Sequence, residues 1–235
     1  MSVVLSQLED HKLWFPDPAS ALEEPNGLLA IGGDLSPERL LLAYQNGIFP
    51  WHGPHHPILW WSPDPRCLLD PTEFHISKSL HKRIKQRDFT ITLNYDFNQV
   101  VEGCAAPRLD TDETWINAGL KHSYAILHQQ GLAHSVEVWM DGVLAGGLYG
   151  IALGQIFCGE SMFSMQSNCS KLALLALCKH FSEHGGKLID CQMQTSHLGS
   201  LGAKEWPRDQ FLVMLRQLQS QPVSAPCWQP QRIEI

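Results

Sequence analysis

The chain has 235 residues, 44% of them apolar and 17% charged, with a formal net charge of -7; this allows one large domain or two smaller ones around a real core. A negative overall field repels phosphate, so any nucleic-acid contact has to come from a local basic patch. The seven cysteines form no C-x-x-C pair and their number is odd, which reduced thiols in a cytosolic protein explain better than a disulfide framework does.

The N-terminus, MSVVLSQLEDHKLWFP, has no basic region followed by a long apolar run, so no signal peptide is expected. No apolar stretch of about 18 residues follows, so no transmembrane helix and no membrane partner are expected. Residues 15 to 65 are dense in Pro, Gly and Trp and read as loop and short strands around one helix. Ser36 opens that helix as N-cap and Pro37 is its first residue. Leu40, Leu41 and Tyr44 share a face, and Gly47 stops it. ISKSLHKRIKQR predicts a second helix with Ile76, Leu80 and Ile84 as its buried face. FTITLN alternates as a strand, and a domain boundary is placed near residue 90, giving domains 1–90 and 91–235.

Beyond it, Asn94 to Cys104 and Ile116 to Gln130 read as helices, the second carrying Ile116, Leu120, Tyr124 and Leu127 at helical spacing. HSVEVWMDGVLAGGLYGIALGQIFCGESMF predicts a β-meander, with a strong hairpin turn at Asp141-Gly142 and a weaker one at Leu153-Gly154. The helix KLALLALCKHFSEHGG and the strand KLIDCQ follow. The order is that of an α+β protein.

Asp190 stands inside the last strand, where acids are depleted and a buried carboxylate costs free energy unless paired or working. Gln192 follows two residues later on the same expected strand face. Glu160, in FCGESMFS, likewise ends an apolar strand. On the residues alone, Asp190 could be satisfied by backbone N–H groups, and Glu160 could cap the helix after it.

Four stretches in order, PNGLLAIGGDLSPERLLLAYQNGIFPW, ILWWSPDPR, FCGESMFS and GGKLIDCQ, strongly resemble the bacterial leucyl/phenylalanyl-tRNA–protein transferases, from about Phe15 to about Pro207. The resemblance implies a small N-terminal α/β domain and a C-terminal acetyltransferase-like (GNAT-type) mixed sheet flanked by helices. It implies transfer of Leu or Phe, with Met as an extension, from aminoacyl-tRNA to the N-terminal Arg or Lys of proteins, marking them for degradation. Asp190, Gln192 and Glu160 then become the catalytic set. Gln192 would accept a hydrogen bond from the attacking amine. Asp190 would polarise its amide or take the proton. Glu160 would bind an ammonium group of a substrate. A side-chain pocket of Trp51, Trp115, Leu148, Phe157, Phe181 and Ile189 would select Leu and Phe; Leu148 stands where the family pattern carries Met, a volume-conserving exchange. For Phe181, a simple core role competes, because it shares an apolar helix with Leu174 and Leu177.

Lys78, Lys82, Arg83, Lys85 and Arg87 place five positive charges between Glu73 and Asp88 with no acid among them. That is a footprint for a phosphate backbone, here of tRNA, although a solvated helix face reads the same way. Ester-to-amide exchange requires no cofactor and no metal, and a monomer is expected. His52, His55 and His56 lie in a Pro-rich loop without a second ligand cluster, so no metal site is assigned to them. Cys191 has no His predictably beside it and is read as structural. A coenzyme A-dependent N-acetyltransferase would want a Gly-rich turn where SMQSNCSK stands. A non-catalytic RNA-binding module would explain the basic helix but not the two acids at strand ends.

Overall fold

The computed structural model describes residues 5–107 and 114–235. The chain runs through β1 (Ser6–Leu8), β2 (Leu28–Gly32), α1 (Pro37–Gln45), β3 (Phe49–Pro50), β4 (Leu59–Trp61), β5 (Arg66–Leu69), α2 (Lys78–Gln86) and β6 (Thr90–Leu93). It continues with α3 (Phe97–Ala105), α4 (Ala118–Gln129), β7 (Ala133–Met140), β8 (Val143–Leu153), β9 (Ile156–Ser164), α5 (Cys169–Glu183) and β10 (Leu188–Gln192). It ends with α6 (Ser196–Ser200), β11 (Lys204–Trp206), α7 (Arg208–Leu218) and β12 (Gln231–Arg232). The class is α+β, as expected.

Side-chain caps decide where α1, α2, α3 and α4 begin. Ser36 Oγ accepts from Arg39 N at 3.3 Å, as its sequence position predicts. Ser77 Oγ accepts from Leu80 N at 3.3 Å, so Ser77 is the N-cap, α2 starts at Lys78, and Ile76 lies outside the helix. Ile76 is therefore 42% exposed rather than part of the buried face, which Leu80 supplies. Asp96 Oδ1 accepts from Gln99 N and Asn117 Oδ1 from Leu120 N, both at 3.0 Å, trimming α3 and α4 by a few residues against the expected bounds. Asn94 is in the left-handed region, φ 58°, which ends β6 instead of opening a helix. The β7–β8 hairpin turns at Asp141 and Gly142, both with positive φ, as the dipeptide predicts. The β8–β9 turn falls on Gly154 and Gln155, one residue later than read.

Two sheets result. A small one has the order β1-β2-β4-β3 and a large one the order β11-β5-β10-β9-β8-β7-β6-β12. In the large sheet, β9 and β10 pair in parallel, and their neighbours pair antiparallel. A parallel pair needs a crossover, which α5 supplies. Two elements that precede residue 90, β5 and α2, belong to the body of this sheet: β5 lies beside β10, and α2 packs against α5.

Alternation along the strands divides the core into two layers. Leu68, Tyr149, Ile151, Cys158 and Leu188 face one layer together with apolar side chains of α1, α3, α4 and α7. Cys67, Leu69, Leu148, Phe157 and Ile189 face the other, filled by α5. Gly150 is a close-approach point: a Cβ there would lie 2.2 Å from the Cys158 carbonyl and 2.7 Å from the Phe157 ring. Among the described residues no helix is long and apolar enough to cross a membrane.

Candidate active site

The parallel pairing of β9 with β10 runs from Ile156–Leu188 to Cys158–Asp190 and stops. Beyond that point β9 is paired with β8 as far as Ser164, and β10 with β5 at Gln192. Each strand also carries an irregularity just there. On β9, Gly159 and Ser161 pair with consecutive residues of β8, so Glu160 is the extra residue of a bulge. On β10 the register shifts between Asp190 and Gln192, and Gln192 takes a positive φ of 64°. Bulges re-aim side chains and end pairing. Here they turn Glu160 and Gln192 toward each other where the two strands lose their shared hydrogen bonds: Gln192 Nε2 donates to Glu160 Oε1 at 2.8 Å.

Asp190 is arranged differently from the expectation. It is 1% exposed and receives a two-pronged salt bridge from Arg66, Nε to Oδ1 at 2.8 Å and Nη2 to Oδ2 at 2.7 Å. The third guanidinium nitrogen, Nη1, donates to Gly47 O at 2.9 Å. The Phe49 and Phe211 rings lie 4.9 and 4.8 Å from the guanidinium carbon. Every donor nitrogen of this buried cation is therefore used, which is the condition for such a pair to persist away from water. Asp190 Oδ1 also accepts from the backbone N–H of Gln192 at 2.9 Å. The acid thus holds the β10 bulge in place through the main chain. The carboxylate that bonds the Gln192 side-chain amide is Glu160, because the register shift takes Gln192 off the strand face it would share with Asp190.

Glu160 is 9% exposed. Its Oε2 accepts from Tyr124 Oη at 2.5 Å, and Tyr124 Oη lies 2.7 Å from Tyr44 Oη. Burial pushes its carboxyl up to about 7, against hydrogen bonds from Tyr124, Tyr44 and Gln192 that favour the ionised form. Burial first, and the Glu160 charge second, push the Tyr44 and Tyr124 hydroxyls well above the ordinary tyrosine value, so they remain donors. Glu160 does not cap α5: that helix starts at Cys169 after Asn168, and Ser164 Oγ accepts from Ser170 N at 3.2 Å.

The expected pocket residues fall into two groups. Phe157 and Ile189 are register partners at the base of the β9–β10 opening, and Leu148 pairs with Met162 just beyond it. These three and Phe181 are all buried in the layer filled by α5. Phe157 meets the Phe181 ring at 6.4 Å and the Trp228 ring at 5.6 Å, and Phe181 meets Trp228 at 5.5 Å. Trp115 is half-buried against the opposite layer, just before α4. Trp51 is 43% exposed and edge-on to Trp61 at 5.8 Å.

Lys78, Lys82, Lys85 and Arg87 are exposed. Arg83 is not a free charge: it donates to Gln86, Asp88 and the Met140 sulfur. Lys82 and Arg83 line a cavity of about 340 Å³ together with Gln166, Ser167 and Asn168 before α5, while Arg87 lines a separate cavity of about 540 Å³ with Trp139 and Arg232. Cys191 is half-buried, with its thiol pushed well up, first by Cys67 and then by burial.

Arg66, Tyr44 and Tyr124 are absent from the set drawn from the sequence. Arg66 ends the stretch ILWWSPDPR, directly before the apolar run Cys67–Leu69. A cation leading into a buried strand is the signal for an acid's partner. The two tyrosines read as ordinary members of apolar helix faces.

A family model described as leucyl/phenylalanyl-tRNA protein transferase matches residues 68–216, and one for the N-terminal domain of the same family matches residues 33–64. The leucyl/phenylalanyl-tRNA–protein transferase of Aeromonas hydrophila subsp. hydrophila is 57% identical over 229 residues, 97% of each chain. That of Tolumonas auensis is 56% identical over 235 residues, 100% of each chain. Among solved structures, a GCN5-related N-acetyltransferase from Kribbella flavida matches at a TM-score of 0.37 and 13% identity, over 70% of this chain and 59% of that one. The chain belongs to the leucyl/phenylalanyl-tRNA protein transferase family.

Proposed function

We propose that this chain is a cytoplasmic aminoacyltransferase that moves Leu or Phe from aminoacyl-tRNA to the N-terminal Arg or Lys of acceptor proteins, acting as a monomer and without a cofactor. The observation that carries the reading is the Gln192–Glu160 hydrogen bond at the end of the β9–β10 pairing. Because the Gln192 amide nitrogen is donated to Glu160, its carbonyl oxygen is left as an acceptor. That oxygen takes an N–H of the incoming α-amine and aims the nitrogen lone pair at the ester carbonyl. An α-amino group, with an ordinary pKa of about 7.7–8.0, has a useful neutral fraction near neutral pH. Ionised Glu160 behind the amide raises the electron density on the Gln192 oxygen and so strengthens that contact as the nitrogen becomes cationic in the transition state. The new C–N bond forms, the ester C–O bond breaks, and the proton lost by nitrogen ends on the released ribose oxygen.

Asp190 and Arg66 serve as positioning residues, holding the Gln192 backbone. Leu148, Phe157 and Ile189, beside the opening, form the wall against which the transferred Leu or Phe side chain lies. Lys82, exposed at the cavity it lines, is the favoured tRNA phosphate contact, and Arg83 joins it by exchanging Asp88 for phosphate.

The test is single-turnover transfer from Leu-tRNA to a peptide beginning with Arg, with acetyl-coenzyme A as a competing donor. Leu-peptide forms with the wild-type chain, and Gln192→Ala lowers the rate by about 10²-fold or more at unchanged tRNA affinity. Acetyl-peptide formation, or tRNA binding without transfer, refutes the reading.

A further inference from the structure

On the face of α5 turned toward the C-terminal tail, His180, His184 and Cys227 bring one donor atom each to within 4.8 Å of one another. His180 and His184 are four apart on one helix, the spacing that places two side chains one above the other. Their rings lie 4.2 Å apart. Cys227 arrives from the tail, where Ser224 N donates to His184 O at 2.9 Å and Cys227 N to Ser224 O at 2.9 Å.

Two hydrogen bonds fix the tautomers, leaving Nδ1 of His180 and Nε2 of His184 with the lone pairs. His180 Nε2 lies 2.7 Å from Cys227 O, and His184 Nδ1 lies 2.7 Å from His180 O. A carbonyl oxygen only accepts, so in both rings that nitrogen carries the proton and the other carries the lone pair. A ring fixed through a backbone carbonyl on one nitrogen is the arrangement that orients a metal-binding imidazole. Cys227 is fully buried, His180 is 6% exposed and His184 is half-buried, so the cluster has a closed back and an open front.

We propose that His180, His184 and Cys227 form a binding site for a borderline-soft divalent cation of the Zn²⁺ class, stapling the C-terminal tail to α5. Two imidazoles and a thiolate match that class and not the oxygen-seeking Mg²⁺ or Ca²⁺. The fourth position, on the open His184 side, takes water. Binding releases the Cys227 thiol proton to solvent as the metal–sulfur bond forms. None of the three residues bonds to Glu160, Gln192 or Asp190, so the staple is separate from the transfer site. Its consequence for that site runs through Trp228, the residue after Cys227, which stacks on His134 at 4.2 Å and packs against Phe157 and Phe181. The proposal departs from the sequence expectation of no metal, which considered the His52–His56 run. The donors found here are separated by 43 positions (His184 to Cys227) and meet only when the tail folds back.

The experiment titrates the metal-free full chain with Co²⁺ as a spectroscopic probe and with Zn²⁺ in competition with a chromogenic chelator. The wild-type chain develops a thiolate-to-cobalt charge-transfer band that saturates at one equivalent, and Zn²⁺ displaces it. Cys227→Ser abolishes the band, His184→Ala weakens binding at least tenfold, and His56→Ala changes neither. Amide exchange of residues 224–228 slows on Zn²⁺ binding. Absence of the wild-type band at one equivalent, or its survival in Cys227→Ser, overturns the site. Unchanged exchange in the tail overturns the staple.

Discussion

Replacing Glu160 by Gln changes how stability depends on pH, and the size follows from the site. The carboxyl ordinarily titrates at 4.5 and is held at about 7 in the folded chain, burial being the largest cause. Between those values the folded chain binds a proton that the unfolded chain has lost, so the wild type loses stability as pH rises. At about 1.4 kcal/mol for each pH unit the whole loss is about 3 kcal/mol, most of it between about pH 5 and about pH 8. Gln keeps the shape and an acceptor for Tyr124 but does not titrate. His134, held down to about 3 chiefly by burial, gives the opposite slope, because its unfolded form binds the extra proton below the ordinary 6.5. That contribution is common to both proteins and cancels in the difference. Urea unfolding of wild type and Glu160→Gln at a series of pH values reads it directly. The wild type falls by roughly 2 to 3 kcal/mol relative to the variant over that range. A difference that does not vary with pH refutes a raised Glu160 and, with it, the account of the Gln192 amide backed by an ionisable group.

Asp190→Asn leaves Arg66 buried without its anion, which costs about 3–5 kcal/mol of stability and lowers turnover while tRNA affinity holds. The double variant Arg66→Met, Asp190→Leu regains stability but not turnover; recovery of both would remove the pair from the site. Lys82→Ala with Arg83→Ala weakens tRNA binding and reduces the logarithmic salt slope by roughly 1 to 2, and unchanged binding across salt returns α2 to the status of a solvated face. Gly150→Ala forces a methyl group against the Cys158 carbonyl 2.2 Å away; a loss of about 1–3 kcal/mol and slower transfer are expected, since β9 carries Glu160, and a neutral result would mean that β8 and β9 can part there freely.

What could be read from the sequence was what is local. The Ser36 cap, the Asp141-Gly142 turn and the Leu120, Tyr124 and Leu127 face of α4 depend on residues within a few positions of one another, and each is found where it was placed, Ile116 alone falling before the helix. The carboxylates Asp190 and Glu160 stood out because acids at the ends of apolar strands demand a reason. Their partners did not, since Arg66 sits 124 positions from Asp190 and Tyr124 36 positions from Glu160. The bulges at Glu160 and between Asp190 and Gln192 were invisible for another reason: a bulge is a relation between two strands, and period-two alternation on either strand alone does not register it. Helix α7 escaped notice as well, yet it contributes Phe211 to the shell around Arg66.

The span of the Arg66–Asp190 ion pair sets an order on biogenesis. A chain emerging from the ribosome presents the guanidinium-bearing strand early, but its counter-charge is 124 residues downstream. Until β10 inserts between β5 and β9, three strands that will be neighbours have edges to protect and a cation with no mate. Insertion of β10 therefore joins the two halves of the sheet, neutralises Arg66 and sets the Gln192 backbone in one event. On the role proposed for Gln192, transfer requires the chain to have been synthesised past residue 192, and fragments ending before it are expected to transfer no Leu.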